Sequence, residues 1–200
     1  MIKNSATSVF GNRGGATNSN SDAMAQRPSG YVRKANNDYP TPTWVTDAVV
    51  PHIRSLAKHM WECAVGSGQM VDPLRNAGFH VVATDIVSGV DFLKCNALPS
   101  DGIQLILTNP PYSHAQSFIE HALALTKPVN GAAAMLLRCD FDHAKSRRHL
   151  FADCSAFAKK IILTKRIVWF DRPGAAPSFN HAWFVWDWQH KGKPAIEYAQ

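Results

Sequence analysis

Apolar and polar positions along residues 43–188 alternate between two periods. Residues 43–58 carry apolar side chains at 45, 48, 49, 53, 56 and 57, a spacing that gathers them on one face of a helix. Pro51 is expected to kink or divide that helix. Residues 69–77, closed by Gly78, and 113–126, ending before Pro128, read as two more helices. Short apolar runs separate them, at 59–62, 80–85, 103–108 and 131–138, and each reads as a strand. Residues 159–167 and 180–188 read as two further strands at an antiparallel end of the sheet. Alternating strand and helix signals predict an α/β fold, with a mostly parallel central sheet, helices on both faces and an antiparallel C-terminal strand. Such sheets bind ligands at the carboxyl ends of their strands. Glu62, Asp85 and Asn109 each close a predicted strand, so three placements converge on one crevice.

The chemistry at those strand ends is specific. Asn109-Pro110-Pro111-Tyr112 follows the apolar run 103–108. A residue before proline is biased to extended backbone, and two prolines stiffen the loop while removing two donors. An amine bound there can donate its N–H groups to the Asn109 side-chain oxygen and the Pro110 carbonyl. That geometry draws the nitrogen lone pair out of conjugation, and Tyr112 offers a flat face to a planar ring. Taken alone, the same four residues also suit a strand-to-helix turn with a buried tyrosine. Upstream, Glu62 precedes a Gly66-Ser-Gly68 turn, where glycine permits positive φ and close approach of a ligand. Asp85 follows the glycines by roughly 20 residues, where nucleotide-binding α/β folds place an acid on ribose hydroxyls. Asp91 opens a third acidic position beside Phe92. Singly, each acid suits a solvated loop; their order ahead of the proline motif makes a constellation.

With these residues in place, residues 38–188 resemble the class I S-adenosylmethionine-dependent amino-methyltransferases, a Rossmann-like family, and especially its DNA adenine-N6 group. The resemblance implies S-adenosylmethionine as cofactor. Tyr39, Thr41 and Pro42 match an N-terminal cofactor-contacting motif. Glu62, Cys63, Ala64, Gly66 and Gly68 match the glycine loop around the methionine moiety. Asp85, with Ile86 after it, matches the ribose-binding acid, and Asp91-Phe92 the pair that holds the cofactor adenine. Asn109, also beside the cofactor, together with Pro110, Pro111 and Tyr112 matches the catalytic motif. The family often has proline after the first acid of the glycine loop, whereas Cys63-Ala64 stands here.

Composition narrows the setting. With 200 residues and 46% apolar content, the chain suits one well-buried core rather than two full domains. No apolar run approaches the ~20 residues that span a bilayer. The opening residues lack the apolar core of a secretory signal, so a cytoplasmic protein without a membrane partner is expected. Cys63, Cys95, Cys139 and Cys154 show no metal-ligand spacing, and no metal is expected. The formal net charge is +6. Within residues 1–37, Lys3, Arg13, Arg27, Arg33 and Lys34 face Asp22 alone, in a stretch rich in Asn, Ser and Gly. It reads as a disordered basic tail, acting either as an arm that gathers nucleic acid or as a solubilising leader. Residues 38–200 read as a single domain without a separate target-recognition domain.

Target recognition then falls to the C-terminal third. Residues 138–151 mix aromatic and basic side chains. Lys145, Arg147 and Arg148 are candidate phosphate contacts, Phe141 a stacking residue, and Arg138, which opens the segment, a further substrate-binding candidate; a solvated helix packed through Leu150 and Phe151 is the alternative. In the resembled family the loop equivalent to 171–180 lines the target pocket, which makes Phe179, with Trp169, a stacking candidate or simply a core aromatic. The expected reaction is methyl transfer to adenine N6 in DNA, on a base flipped from the duplex. The alternatives are amino-methylation of RNA or of a protein glutamine, or a catalytically inactive nucleic-acid-binding protein of the same fold. Discrimination rests on the loops near 139–150 and 171–180, or a protein partner supplies it.

Overall fold

The computed structural model describes Met1, residues 39–169, Pro177 and residues 179–199. The expected tail at 1–37, apart from Met1, and the loop 171–180, apart from Pro177, Phe179 and Asn180, lie outside those residues. Seven strands form one sheet in the order β2-β1-β3-β4-β6-β5-β7. They are β1 (His59–Glu62), β2 (His80–Ala83), β3 (Leu105–Thr108), β4 (Ala132–Arg138), β5 (Phe157–Leu163), β6 (His181–Asp187) and β7 (Ala195–Ala199). Strands β1 to β4 are parallel, β6 runs antiparallel to both β4 and β5, and β7 is parallel to β5. The reversal is therefore confined to β6, and the last strand returns to the common direction.

Alternation of side chains along the strands builds two cores. Leu105, Leu107, Ala134, Leu136 and Val185 pack on one face, beneath α1 (Thr43–Ile53) and α2 (Val71–Asn76). Ile106, Ala133, Met135, Leu137, Phe184 and Trp186 fill the other, beneath α3 (Ala115–Thr126). Because both faces are covered, β3 is buried at every position, and its sequence is a continuous apolar run. Two tryptophans tie the layers to the sheet. Trp183 Nε1 donates to the Val45 carbonyl at 3.0 Å, and Trp186 Nε1 to the Leu150 carbonyl at 2.6 Å. Gly131 leads into β4 where a Cβ would stand 2.5 Å from the Gln104 carbonyl oxygen, so the β3–β4 approach requires glycine.

The helices are shorter than the apolar spacing predicts. α1 ends at Ile53 and carries Pro51 in its last turn, so the helix runs through the proline and stops two residues later. α2 stops at Asn76, and Gly78 at φ 89° turns the chain into β2. A 3-10 turn, Tyr112–His114, precedes α3. The segment 138–151, whose alternative reading is a solvated helix, instead forms 3-10 turns at Phe141–His143 and Lys145–Leu150. From β1 the sheet grows to β2 on one side and to β3 on the other. The carboxyl ends of β1 and β3 thus flank the point where strand order reverses, the usual place for a crevice in such sheets.

Candidate active site

At the carboxyl end of β1, the chain turns back through Gly66 at φ 50° and Gly68 at φ 84°, backbone that side chains with a Cβ rarely adopt. Nothing lies within 4 Å of a Cβ built on Gly68, so the space beside that residue is open. The turn is bound to the next strand end: Gly66 N–H donates to Asp85 Oδ2 at 2.9 Å, and Val87 N–H to Asp85 Oδ1 at 2.8 Å. Each carboxylate oxygen keeps a further lone pair for a ligand hydroxyl. Ile86 and Val87, which follow Asp85, are 68% and 86% exposed. Two bare aliphatic side chains beside an anchored carboxylate suit a ring that lies over them while its sugar meets the acid.

Glu62 lies under this turn and is fully buried. Its Oε1 accepts from Ala64 N–H at 3.0 Å, and its Oε2 has no partner. Burial pushes its carboxyl up to about 8, against the opposing pull of Thr108 and the Ala64 N–H, and with a smaller push from Asp85. Glu62 is therefore mostly protonated at neutral pH. Cys63 and Phe92 are core residues by side chain; Phe92 packs against Trp61, Phe118 and His121 with ring centroids 4.9–5.2 Å apart. Asp91 accepts from Leu93 N–H at 3.2 Å and pairs with Lys94 at 3.1 Å. The structure thus joins Glu62, the glycine turn and Asp85, while Asp91 caps its own short turn next to them in sequence.

Across the switch point, Asn109 extends β3. Its Nδ2 donates to Thr41 Oγ1 at 3.0 Å and points to the Tyr39 carbonyl at 3.5 Å. Its Oδ1 is buried and accepts nothing. Among the described backbone bonds none reaches the Pro110 carbonyl, while the Pro111 carbonyl is taken by His114 N–H at 2.8 Å. The Asn109 oxygen is consequently a buried acceptor left open. The Tyr112 ring is partly exposed, but its hydroxyl is buried without a partner, and burial raises its pKa above the usual phenol range. Behind it, His181 stacks at 5.9 Å between centroids, and Trp169 meets His181 edge-on at 5.3 Å and Tyr39 at 5.6 Å. Burial, helped by the Arg138 charge, pushes His181 down to about 4, so this ring is neutral near pH 7. His181 was not singled out from the sequence. Its one signal is a polar residue opening an apolar strand, in register with Arg138.

The basic residues of the C-terminal third are mostly engaged within the protein. Arg138 grips Asp140 with bonds of 3.0 and 2.6 Å while its guanidinium lies 4.1 Å from the Phe179 ring. Arg147 donates to the Phe141 carbonyl at 2.7 Å and covers that ring at 4.2 Å. Arg148 pairs with both oxygens of Asp153 at 2.9 Å. Lys145 is exposed. Arg138 and Phe179 therefore adjoin the His181–Tyr112 stack, whereas Arg147 and Arg148 serve the 145–150 turn. Among the described residues no three His, Cys, Asp or Glu side chains converge as a metal site, and no helix is long and apolar enough to cross a membrane.

No family model matches the sequence, and none of the curated proteins does. Solved structures do match the fold. The type I restriction-modification methyltransferase subunit of Streptococcus thermophilus superposes with a TM-score of 0.58 at 15% identity, over 77% of this chain and 46% of that one. A Listeria monocytogenes protein assigned as a class I S-adenosylmethionine-dependent methyltransferase gives 0.59 at 12% identity, over 83% and 66%. A Pyrococcus horikoshii protein assigned as an RNA methyltransferase gives 0.57 at 10% identity, over 74% and 85%. The chain spans less than half of the first and about two thirds of the second. The fold is that of the Rossmann-like methyltransferases.

Proposed function

We propose that the protein transfers a methyl group from S-adenosylmethionine to an exocyclic amino group, and that the amine is adenine N6 in DNA. The observation that carries this reading is the Asn109 amide: its nitrogen is anchored and its oxygen is buried with nothing to accept. A buried acceptor without a partner is costly, and an amine would satisfy it with one N–H while turning its second toward the Pro110 carbonyl.

The residues at the crevice fit the cofactor. The open glycine turn leaves room for the chain to pass, Asp85 holds lone pairs for the ribose hydroxyls, and Ile86 and Val87 give the adenine an apolar bed. Glu62 Oε2 below the turn, protonated in the ligand-free protein, would pair with a cationic amino group by releasing that proton. When bound, S-adenosylmethionine supplies an electrophilic methyl on a sulfonium, whose sulfur keeps the bonding pair as the methyl departs. Asn109 Oδ1 and the Pro110 carbonyl accept the two N–H bonds and turn the nitrogen lone pair toward that carbon. The lone pair forms the new bond, and the surplus proton leaves the nitrogen for solvent. Neither acceptor titrates near neutrality, so orientation rather than a strong base provides the acceleration. Tyr112, backed by His181, offers its open face to the flipped base.

The Asn-Pro-Pro-Tyr motif and the likeness to a restriction-modification subunit favour DNA. Target selection falls to the 139–150 segment, the loop ending at Phe179, or a protein partner. Incubation with labelled S-adenosylmethionine and separate pools of DNA, RNA and protein tests the reading, with Asn109→Ala as the control. Label in DNA as N6-methyladenine, reduced on the order of 10²–10³-fold in turnover by Asn109→Ala, is the expected result. Label confined to RNA or protein would reassign the substrate, and an Asn109→Ala variant of normal rate would remove the motif's role.

A further inference from the structure

A carboxamide presents either an acceptor or a donor to its ligand, depending on which way the group is turned. With oxygen forward, Asn109 accepts from an amine and leaves the nitrogen lone pair available. Turned by 180°, it would donate into that lone pair and quench the nucleophile. The side chain that decides the orientation thus decides whether the site can work.

We infer that Thr41 is a positioning residue that holds the Asn109 amide with its oxygen toward the acceptor amine. This rests on the amine-orienting reading of Asn109. The Tyr39 carbonyl has no hydrogen to give, so the group facing it at 3.5 Å must be the NH2. That contact is at the limit of a hydrogen bond, whereas Thr41 Oγ1 accepts at 3.0 Å and supplies the hold. Thr41 is 5% exposed, so solvent does not replace it. It stands between Pro40 and Pro42, which restrict its own backbone and that of its neighbours. Pro42 then caps α1, its carbonyl accepting from Val45 N–H at 2.9 Å. The hydroxyl is presented from a stiff strap pinned to the first helix. In the resemblance Thr41 counts as a cofactor contact; the geometry points to a hold on the catalytic amide.

Three variants test this: Thr41→Val, which keeps the shape and loses the acceptor, Thr41→Ser, which keeps the acceptor, and Asn109→Ala. Each is assayed with saturating tritiated S-adenosylmethionine and unmethylated duplex DNA, alongside calorimetric cofactor affinity. Hydrogen exchange of the Asn109 side-chain amide is followed by NMR. Thr41→Val should lower kcat about tenfold, the population cost of one neutral hydrogen bond, with KM and cofactor affinity within about twofold, and should speed exchange of the Asn109 NH2. Thr41→Ser should restore both. A normal kcat in Thr41→Val while Asn109→Ala is impaired would overturn the inference and leave the function standing. A fall in cofactor affinity in place of kcat would also overturn it. If wild type methylates no pool, the functional reading fails, and the exchange measurement alone decides whether Thr41 holds the amide.

Discussion

Replacing Glu62 with Gln should change how the stability of the ligand-free protein depends on pH. The carboxyl is completely buried, with one oxygen bonded to Ala64 N–H and the other unpartnered. Burial moves its pKa from the ordinary 4.5 to about 8. The folded state therefore holds a proton that the unfolded chain releases, and stability must fall as pH rises between those values. At 1.36 kcal/mol per pH unit the loss is on the order of 5 kcal/mol by pH 9, roughly two thirds of it by pH 7. Gln keeps the shape and the acceptor for Ala64 and does not titrate, so it should lose none of this. Urea denaturation of both proteins from pH 5 to pH 9 measures the difference directly. The two should be similar at pH 5, diverge by about 1 kcal/mol per pH unit up to pH 7, and level off as the folded carboxyl itself titrates near pH 8. His181, which adds stability as pH rises through the unfolded histidine range, contributes equally to both and cancels. Parallel curves would show that Glu62 is ionised in the fold.

Asp85→Asn keeps an oxygen for the Gly66 or Val87 N–H but not both, and loses the charge; calorimetry should show cofactor affinity weakened by about 1.5–3 kcal/mol, with a lower melting temperature from the lost backbone bond. Tyr112→Phe removes a buried hydroxyl that has no partner and should leave the ligand-free protein as stable or up to about 1 kcal/mol more stable in thermal unfolding. Tyr112→Ala should weaken target binding by about 1–3 kcal/mol while cofactor affinity holds.

Residues 103–108 and 131–138 disclosed β3 and β4 because strands covered on both faces need unbroken apolar runs. Gly66 and Asp85 were legible as a pair because their spacing is that of a turn and the next strand's end, and a 2.9 Å bond joins them. β7 was not. An edge strand with Ile196 and Tyr198 exposed has no buried stripe for the periodicity to report. The bidentate grip of Arg138 on Asp140 escapes because it depends on side-chain direction, and the hold of Thr41 on Asn109 spans 68 residues. Pairings of that kind are set by the fold as a whole.

The position of β5 bears on how the protein can be made. Its two neighbours in the sheet, β6 and β7, both follow it in the chain, and β6 separates it from β4. On a ribosome, Phe157–Leu163 emerges before either partner exists. For that interval it is an apolar strand with two bare edges, the kind of surface that other chains add to. Slower elongation past residue 163 would lengthen the exposure, and a chaperone that shelters emerging strands would shorten it. Soluble yield should depend on synthesis rate and chaperone supply even for variants whose finished fold is unchanged.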